Sequence, residues 1–196
     1  MLDLALIIVP FALSMTASPG PANIMIAATA TNFGLWRTVP QMLGIAVALF
    51  AMILSAGLGL GQILQNFPQI HEALKYLGAA YLLYLGWKIA TSALPKSQGE
   101  RKPVGFSGAV TLQVLNPKGW IIALGAVTAF THPAEDLSLQ ILIIAAVTGL
   151  IAVPSMALWG VLGEVAGKLL RSARAYRIFN LAMAALLVAS IATLFL

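Results

Sequence analysis

Cysteine is absent from the chain, which excludes a disulfide framework and any thiolate metal site. Charge is nearly as scarce. Only 9% of the 196 residues are charged, where an ordinary globular domain carries about 25%. So few charges cannot cover a water-exposed surface. With 60% hydrophobic residues and a mean hydropathy of +0.95, the sequence is built for the bilayer. A core hidden inside a large soluble complex is the weaker reading. Asp and Glu number six, and none falls in the middle of a long apolar run. That removes the ligands a hard cation would need and the carboxylates that commonly relay protons inside membranes. His71 and His132 sit at the ends of apolar runs, poorly placed for metal or proton relay. No nucleophile with a base, metal motif or cofactor motif is visible, so an enzyme is disfavoured and no cofactor is expected. "GLGLG" (57–61) lacks a phosphate-loop lysine and, like Gly78, reads as close helix packing.

What the chain has in quantity is apolar sequence long enough to cross a membrane, which takes roughly 20 residues per helix. Six stretches qualify: 3–31, 39–65, 73–91, 107–131, 138–163 and 178–196. "LALIIVPFAL" followed by "MTA" imitates a signal peptide, but the charge ahead of it is Asp3 where a secretory leader wants Lys or Arg, so retention is expected. The loops after spans one, three and five, with their flanks, hold Arg37, Lys88, Lys96, Arg101, Lys102, Lys168, Arg171, Arg174 and Arg177. The opposite side holds Lys75 as its only basic residue, with Asp3, Glu72, Glu135 and Asp136. Positive loops stay in the cytoplasm, which puts both termini in the periplasm. The net charge of +5 is therefore a topology signal, and nucleic acid is not an expected partner. "KLLRSARAYR" places Lys168, Arg171, Arg174 and Arg177 three apart, the pattern of a short basic helix resting on anionic lipid.

Two spans are interrupted near their centres, by "SPGPAN" (18–23) and by "LNPKGW" (115–120). Proline removes a backbone donor but is comfortable at the first position of a helix. New half-helices are thus expected to start at Pro21, with Gly20 as hinge and cap, and at Pro117, with Asn116 as N-cap. Pro19 and Pro117 lie 98 residues apart, half the chain length. A shift of 98 lays the first three spans over the last three and places Ile24 on Ile122 and Ala28 on Ala126. Three spans per repeat make the second repeat inverted. The expected fold is an all-α integral membrane protein: six transmembrane helices in two inverted three-helix repeats, about 1–92 and 104–196, with a cytoplasmic linker at 93–103. The whole chain, 1–196, is then one transmembrane transporter domain.

Irregular backbone at membrane depth is tolerated where protein or a wet cavity satisfies it. Two half-helix N-termini there offer N–H groups and partial positive charge to an anion such as a substrate carboxylate. Lys118 lies in the second break with no acidic partner in any span, and a lysine at such depth costs about 2.5–3.5 kcal/mol on the insertion scale. It is expected to pair with helix-end carbonyls, face a wet cavity or receive the substrate carboxylate; the bland alternative shifts span four so that Lys118 reaches the cytoplasmic edge. Asn23, Gln113 and Tyr81 are secondary candidates, able to contact substrate or merely bridge helices, while Tyr84 fits a cavity wall or an interfacial belt.

"TASPGPANIMI", "LKYLGAAYLLYLGWKI" (74–89) and "LQVLNPKGW" (112–120), together with the length and six-span layout, resemble the LysE/RhtB family of bacterial amino-acid exporters. The resemblance covers essentially the whole chain. It implies amino-acid export across the inner membrane, commonly driven by protons, with Pro19, Gly20, Pro21, Asn23, Asn116, Pro117 and Lys118 as the matching motif positions. Many relatives carry a polar residue directly after the Pro-Gly-Pro, where this chain has Ala22. Alternating access around a midplane carboxylate site is the expected mechanism. Lys118 and the substrate's own amine are the candidate proton carriers, and the lack of central carboxylates favours a neutral amino acid. Transport of another solute or cation, or a non-transporting scaffold, are the alternatives, and the sequence leaves a homodimer open.

Overall fold

The computed structural model describes residues 2–60, 68–92, 102–132, 136–170 and 172–194, and every regular element among them is helical. Helix α1 (Leu2–Ala17) and α2 (Pro21–Phe33) meet at the first break. A 3-10 turn (Leu35–Thr38) leads into α3 (Val39–Ser55), which ends in a wide π turn (Ala56–Leu60). Helix α4 covers Pro68–Ala90. Beyond the linker, α5 (Phe106–Leu115) and α6 (Pro117–Phe130) meet at the second break, followed by α7 (Leu137–Leu169) and α8 (Ala173–Ala189).

Both breaks fall at the prolines that the sequence singles out. The half-helices bend by 61° between α1 and α2 and by 68° between α5 and α6. Pro21 and Pro117 each occupy the first turn of the second half-helix, where no N–H is missed. Three helices among the described residues are long and apolar enough to span, 35–59, 137–169 and 173–192, and counting each bent pair as one span raises the number to five. The third expected span, α4, is long enough at 23 residues but is not among them. Its Tyr76, Tyr81, Tyr84, Trp87 and Lys88 hold its hydropathy down. Residues 61–65 of the second expected span and 93–101 of the linker lie outside the described residues, as do Arg171 and Glu135.

Packing alternates the two halves of the chain. Helices α1 and α2 lie on α7, α3 lies on α5 and α7, and α4 lies on α8. The closest approaches occur at glycine: a Cβ on Gly44 would stand 2.6 Å from the Phe106 carbonyl oxygen, and one on Gly78 2.6 Å from that of Leu115. Gly57 packs against the Ile141 side chain, whereas Gly59 supplies the positive φ of 100° in the π turn. Among the described glycines, the tightest approach lies on neither stretch. It is at Gly163 of α7, which abuts the α2 backbone at Ala27, and Gly167 meets that of Thr31 one turn on.

Hydrogen bonds hold the first, third and fifth connections at one end. The Glu164 carboxylate accepts from Leu35 N–H, Tyr176 Oη donates to the Thr31 carbonyl, and Asn180 Nδ2 donates to that of Ser92. The described basic residues of these connections, Arg37, Lys88, Lys102, Lys168, Arg174 and Arg177, thus gather at one end, as the loop charges imply. The basic stripe itself differs from expectation. Lys168 ends α7, Leu170 leaves the helix, and Ser172 caps α8 by accepting from Ala175 N–H at 3.1 Å. Residues 168–177 therefore divide between two helices, because the Ser172 cap starts a new one ahead of Arg174 and Arg177. Helix α7 runs 33 residues, about 50 Å at 1.5 Å per residue. It outlasts the expected end at residue 163, and in the added length Glu164 and Lys168 pair at 2.7 Å one turn apart.

Candidate functional site

The first break leaves the last carbonyls of α1 without helical partners, a cost that apolar surroundings would make prohibitive. Side chains from three elements meet the need. Asn23 Nδ2 donates to the carbonyls of Thr16 at 2.8 Å and Ser18 at 2.9 Å. Trp159 Nε1 of α7 donates to that of Ala17 at 2.9 Å. Lys118 Nζ, arriving from the second break, donates to the Ser18 carbonyl at 2.7 Å, to Ser18 Oγ at 2.8 Å and to the Pro19 carbonyl at 3.2 Å. Of the expected partners for Lys118, helix-end carbonyls are the ones it has in this conformation. Its stem lies over Gly20, where a Cβ would stand 3.0 Å from Lys118 Cδ and 3.2 Å from Nζ. Gly20 adopts extended backbone, so what it contributes is room.

The second break is built differently. Asn116 Oδ1 accepts from Lys118 N–H at 3.1 Å, capping α6 as expected. Asn116 Nδ2 reaches Gln113 Oε1 at 3.4 Å, and Trp120 Nε1 donates to the Val114 carbonyl at 2.8 Å. The half-helix N-termini are thus not equivalent. Helix α6 carries its own side-chain cap, while α2 starts behind Gly20, which has no side chain to supply one. Removing the α6 cap with Asn116→Ala is expected to cost about 1 kcal/mol, read as a lower unfolding midpoint in detergent. An unchanged midpoint would show that the cap contributes nothing.

Between the breaks lies a cavity of about 30 Å³, room for about one water molecule. Gly20, Asn23, Gln113, Asn116 and Lys118 line it, with Thr16, Ala152 and Met156 from α1 and α7. Pro19, Pro21 and Pro117 shape the breaks without lining the cavity. Tyr81 stands apart: its hydroxyl donates to the Gly108 carbonyl at 2.9 Å, tying α4 to α5. Sequence reasoning missed Thr16, Ser18 and Trp159. Thr16 Oγ1 bonds Ser155 Oγ of α7 at 2.9 Å. An indole N–H inside a long apolar run, which needs an acceptor once buried, was the available signal for Trp159.

A family model described as a LysE type translocator matches residues 13–196. The chain belongs to the LysE family. This LysE protein is similar to the cysteine/O-acetylserine efflux protein of Salmonella typhimurium strain LT2, with 31% identity over 180 residues that cover 91% of this chain and 90% of the relative. The efflux protein of the same description from Escherichia coli strain K12 is 27% identical over 179 residues, 91% of this chain and 90% of its own. No solved structure gives a significant match. Family membership makes the LysE protein a membrane transporter rather than an enzyme, and its long apolar helices agree.

Proposed function

We propose that this protein exports neutral amino acids across the bacterial inner membrane by alternating access of two inverted three-helix repeats, with both termini periplasmic. The observation that carries the proposal is the meeting of the two breaks through Lys118, in a chain of a translocator family. Neutrality is supported by the relatives, named for efflux of cysteine and O-acetylserine, and by the absence of carboxylates from the cavity lining.

The contacts support the inverted repeat. A shift of 98 residues exchanges α1–α2 with α5–α6, α3 with α7 and α4 with α8. It therefore turns the packing of span one on α7 into the packing of span four on α3, and it leaves the α3–α7 and α4–α8 pairs unchanged. All of these pairs occur. Residues related by the shift meet directly: position 118 is the counterpart of 20, and the Lys118 side chain lies on Gly20. Ile24 and Ala28 are buried, and so are Ile122 and Ala126.

In the mechanism that follows, the described conformation is closed, since its central cavity is too small for an amino acid. Opening toward one face separates Lys118 from the Ser18 and Pro19 carbonyls. The ammonium and the α2 N-terminus then hold the substrate carboxylate, while the freed carbonyls receive the substrate ammonium. Lys118 returning to those carbonyls expels the substrate on the other side. Proton coupling would run through Lys118 or the substrate amine, as no other titratable group lines the cavity. Proteoliposomes loaded with a panel of labelled amino acids, including cysteine and O-acetylserine, test this. Selective loss driven by an imposed pH gradient is expected; retention of every amino acid by folded protein would overturn it.

A further inference from the structure

A second, larger cavity of about 450 Å³ lies between α2, the last turns of α4 and residues 102–104. That is within the size range of small-molecule sites, about 300–1,000 Å³. It opens among the residues of the basic face and takes its inner wall from Thr29 and Asn32, one face of α2. Lys88 and Lys102 line it as well. Among the described residues the recorded ion pair is Lys168 with Glu164, so neither of these ammonium groups is neutralised there. Two positive charges without an ion-pair partner among the described residues, set beside low-dielectric walls, concentrate a field that attracts an anion.

Thr29 adds a polar contact at depth. It is 7% exposed, and its Oγ1 accepts from Nε2 of the fully buried Gln41 at 3.0 Å. Of this buried pair it is Gln41 Oε1 that has no recorded partner among the described residues, so hydrogen-bonding capacity is left unspent beside the chamber wall. The same helix carries both cavities: Thr29 is six residues beyond Asn23, about 9 Å along α2.

We propose that this chamber is a loading site that takes the carboxylate of an amino acid from the basic face, using Lys88, Lys102 and Thr29, before the substrate passes along α2 to the break. This rests on the amino-acid export reading. The commitment to substrate over an anionic lipid headgroup comes from Thr29, which lies buried on the helix that leads to the central cavity.

The chain has no cysteine, so Thr29→Cys introduces a single reporter in the full-length protein. Its labelling by sulfonatoethyl and trimethylammonioethyl methanethiosulfonates, corrected for their rates with a free thiol, reads the local field. The anionic reagent is expected to react about tenfold faster than the cationic one. The preference should vanish in Lys88→Gln/Lys102→Gln, and O-acetylserine should slow the labelling where ethanolamine, which lacks the carboxylate, does not. In transport, the double variant should raise KM about tenfold with kcat within twofold. Equal rates for the two reagents, a preference that survives the double variant, or protection by phosphatidylglycerol but by no amino acid would overturn the proposal. Thr91→Cys at the chamber mouth replaces the first reporter if that one misfolds. Labelling does not require export, so a protein that exports no amino acid yet shows the preference and protection defeats the export reading alone. Export without the preference defeats the chamber alone.

Discussion

Lys118→Ala protein, inserted and folded as the parent, is expected to export at no more than about 1% of the parent rate, a 100-fold loss or greater. Transport and fold stability separate cleanly at Lys118 because the contacts it leaves behind are few. Ser18 O keeps its bond from Asn23, and Ser18 Oγ keeps the one it donates to the Met15 carbonyl. Only the Pro19 carbonyl loses its recorded partner, at a cost of about 1–3 kcal/mol. Removing a lysine from membrane depth offsets part of that. The fold should survive while the ammonium proposed to receive the substrate carboxylate is gone. Gly20→Val should approach the same phenotype by a different route, since its side chain takes the space of Lys118 Cδ and Nζ. Efflux from proteoliposomes, with folded protein verified by size exclusion, measures both. Full activity in Lys118→Ala would sink the mechanism, and failure of Lys118→Ala to fold would show that its bonds to the first break are structural.

Gly163→Leu is expected to yield little or no folded protein, and Gly163→Ala to lose about 3 kcal/mol or more. The Cβ of any residue at 163 would fall against the oxygen, carbon and Cα of Ala27, which are backbone and cannot rotate away. One turn on, Gly167 meets Thr31 in the same way, with its would-be Cβ 2.8 Å from the carbonyl oxygen. Thr31 Oγ1 also donates to the Gly163 carbonyl at 2.7 Å across this contact. Small residues four apart let two membrane helices approach closely enough for dispersion and hydrogen bonds to hold them, which is the main source of helix association in lipid. A larger side chain separates α7 from α2 along its length and displaces Trp159, which sits one turn earlier and covers the Ala17 carbonyl. Unfolding midpoints and yields in detergent test this, with Gly105→Ala as control, since nothing lies within 4 Å of a Cβ there. A monodisperse Gly163→Leu protein with the parent midpoint would refute the contact.

By itself the sequence determined the solvent, the helical class, the two breaks and the side on which the basic loops gather. Those features are local or compositional. Apolar run length sets a span, proline sets where a half-helix starts, and lysine and arginine set the side. It also placed Lys118 at a break and offered helix-end carbonyls among its partners. Only the tertiary structure chose among those partners, because Ser18 and Lys118 are a hundred residues apart and no pattern along the chain encodes which carbonyl an ammonium will reach. It likewise set Tyr81 apart from the central cavity, divided the basic stripe between two helices at the Ser172 cap, and showed that α6 carries a side-chain cap where α2 has none. "GEVAG" at 163–167 was as readable as "GLGLG", yet glycine spacing alone does not say which stripe meets a backbone. That depends on how α7 is rotated about its own axis, which is fixed by everything packed around it.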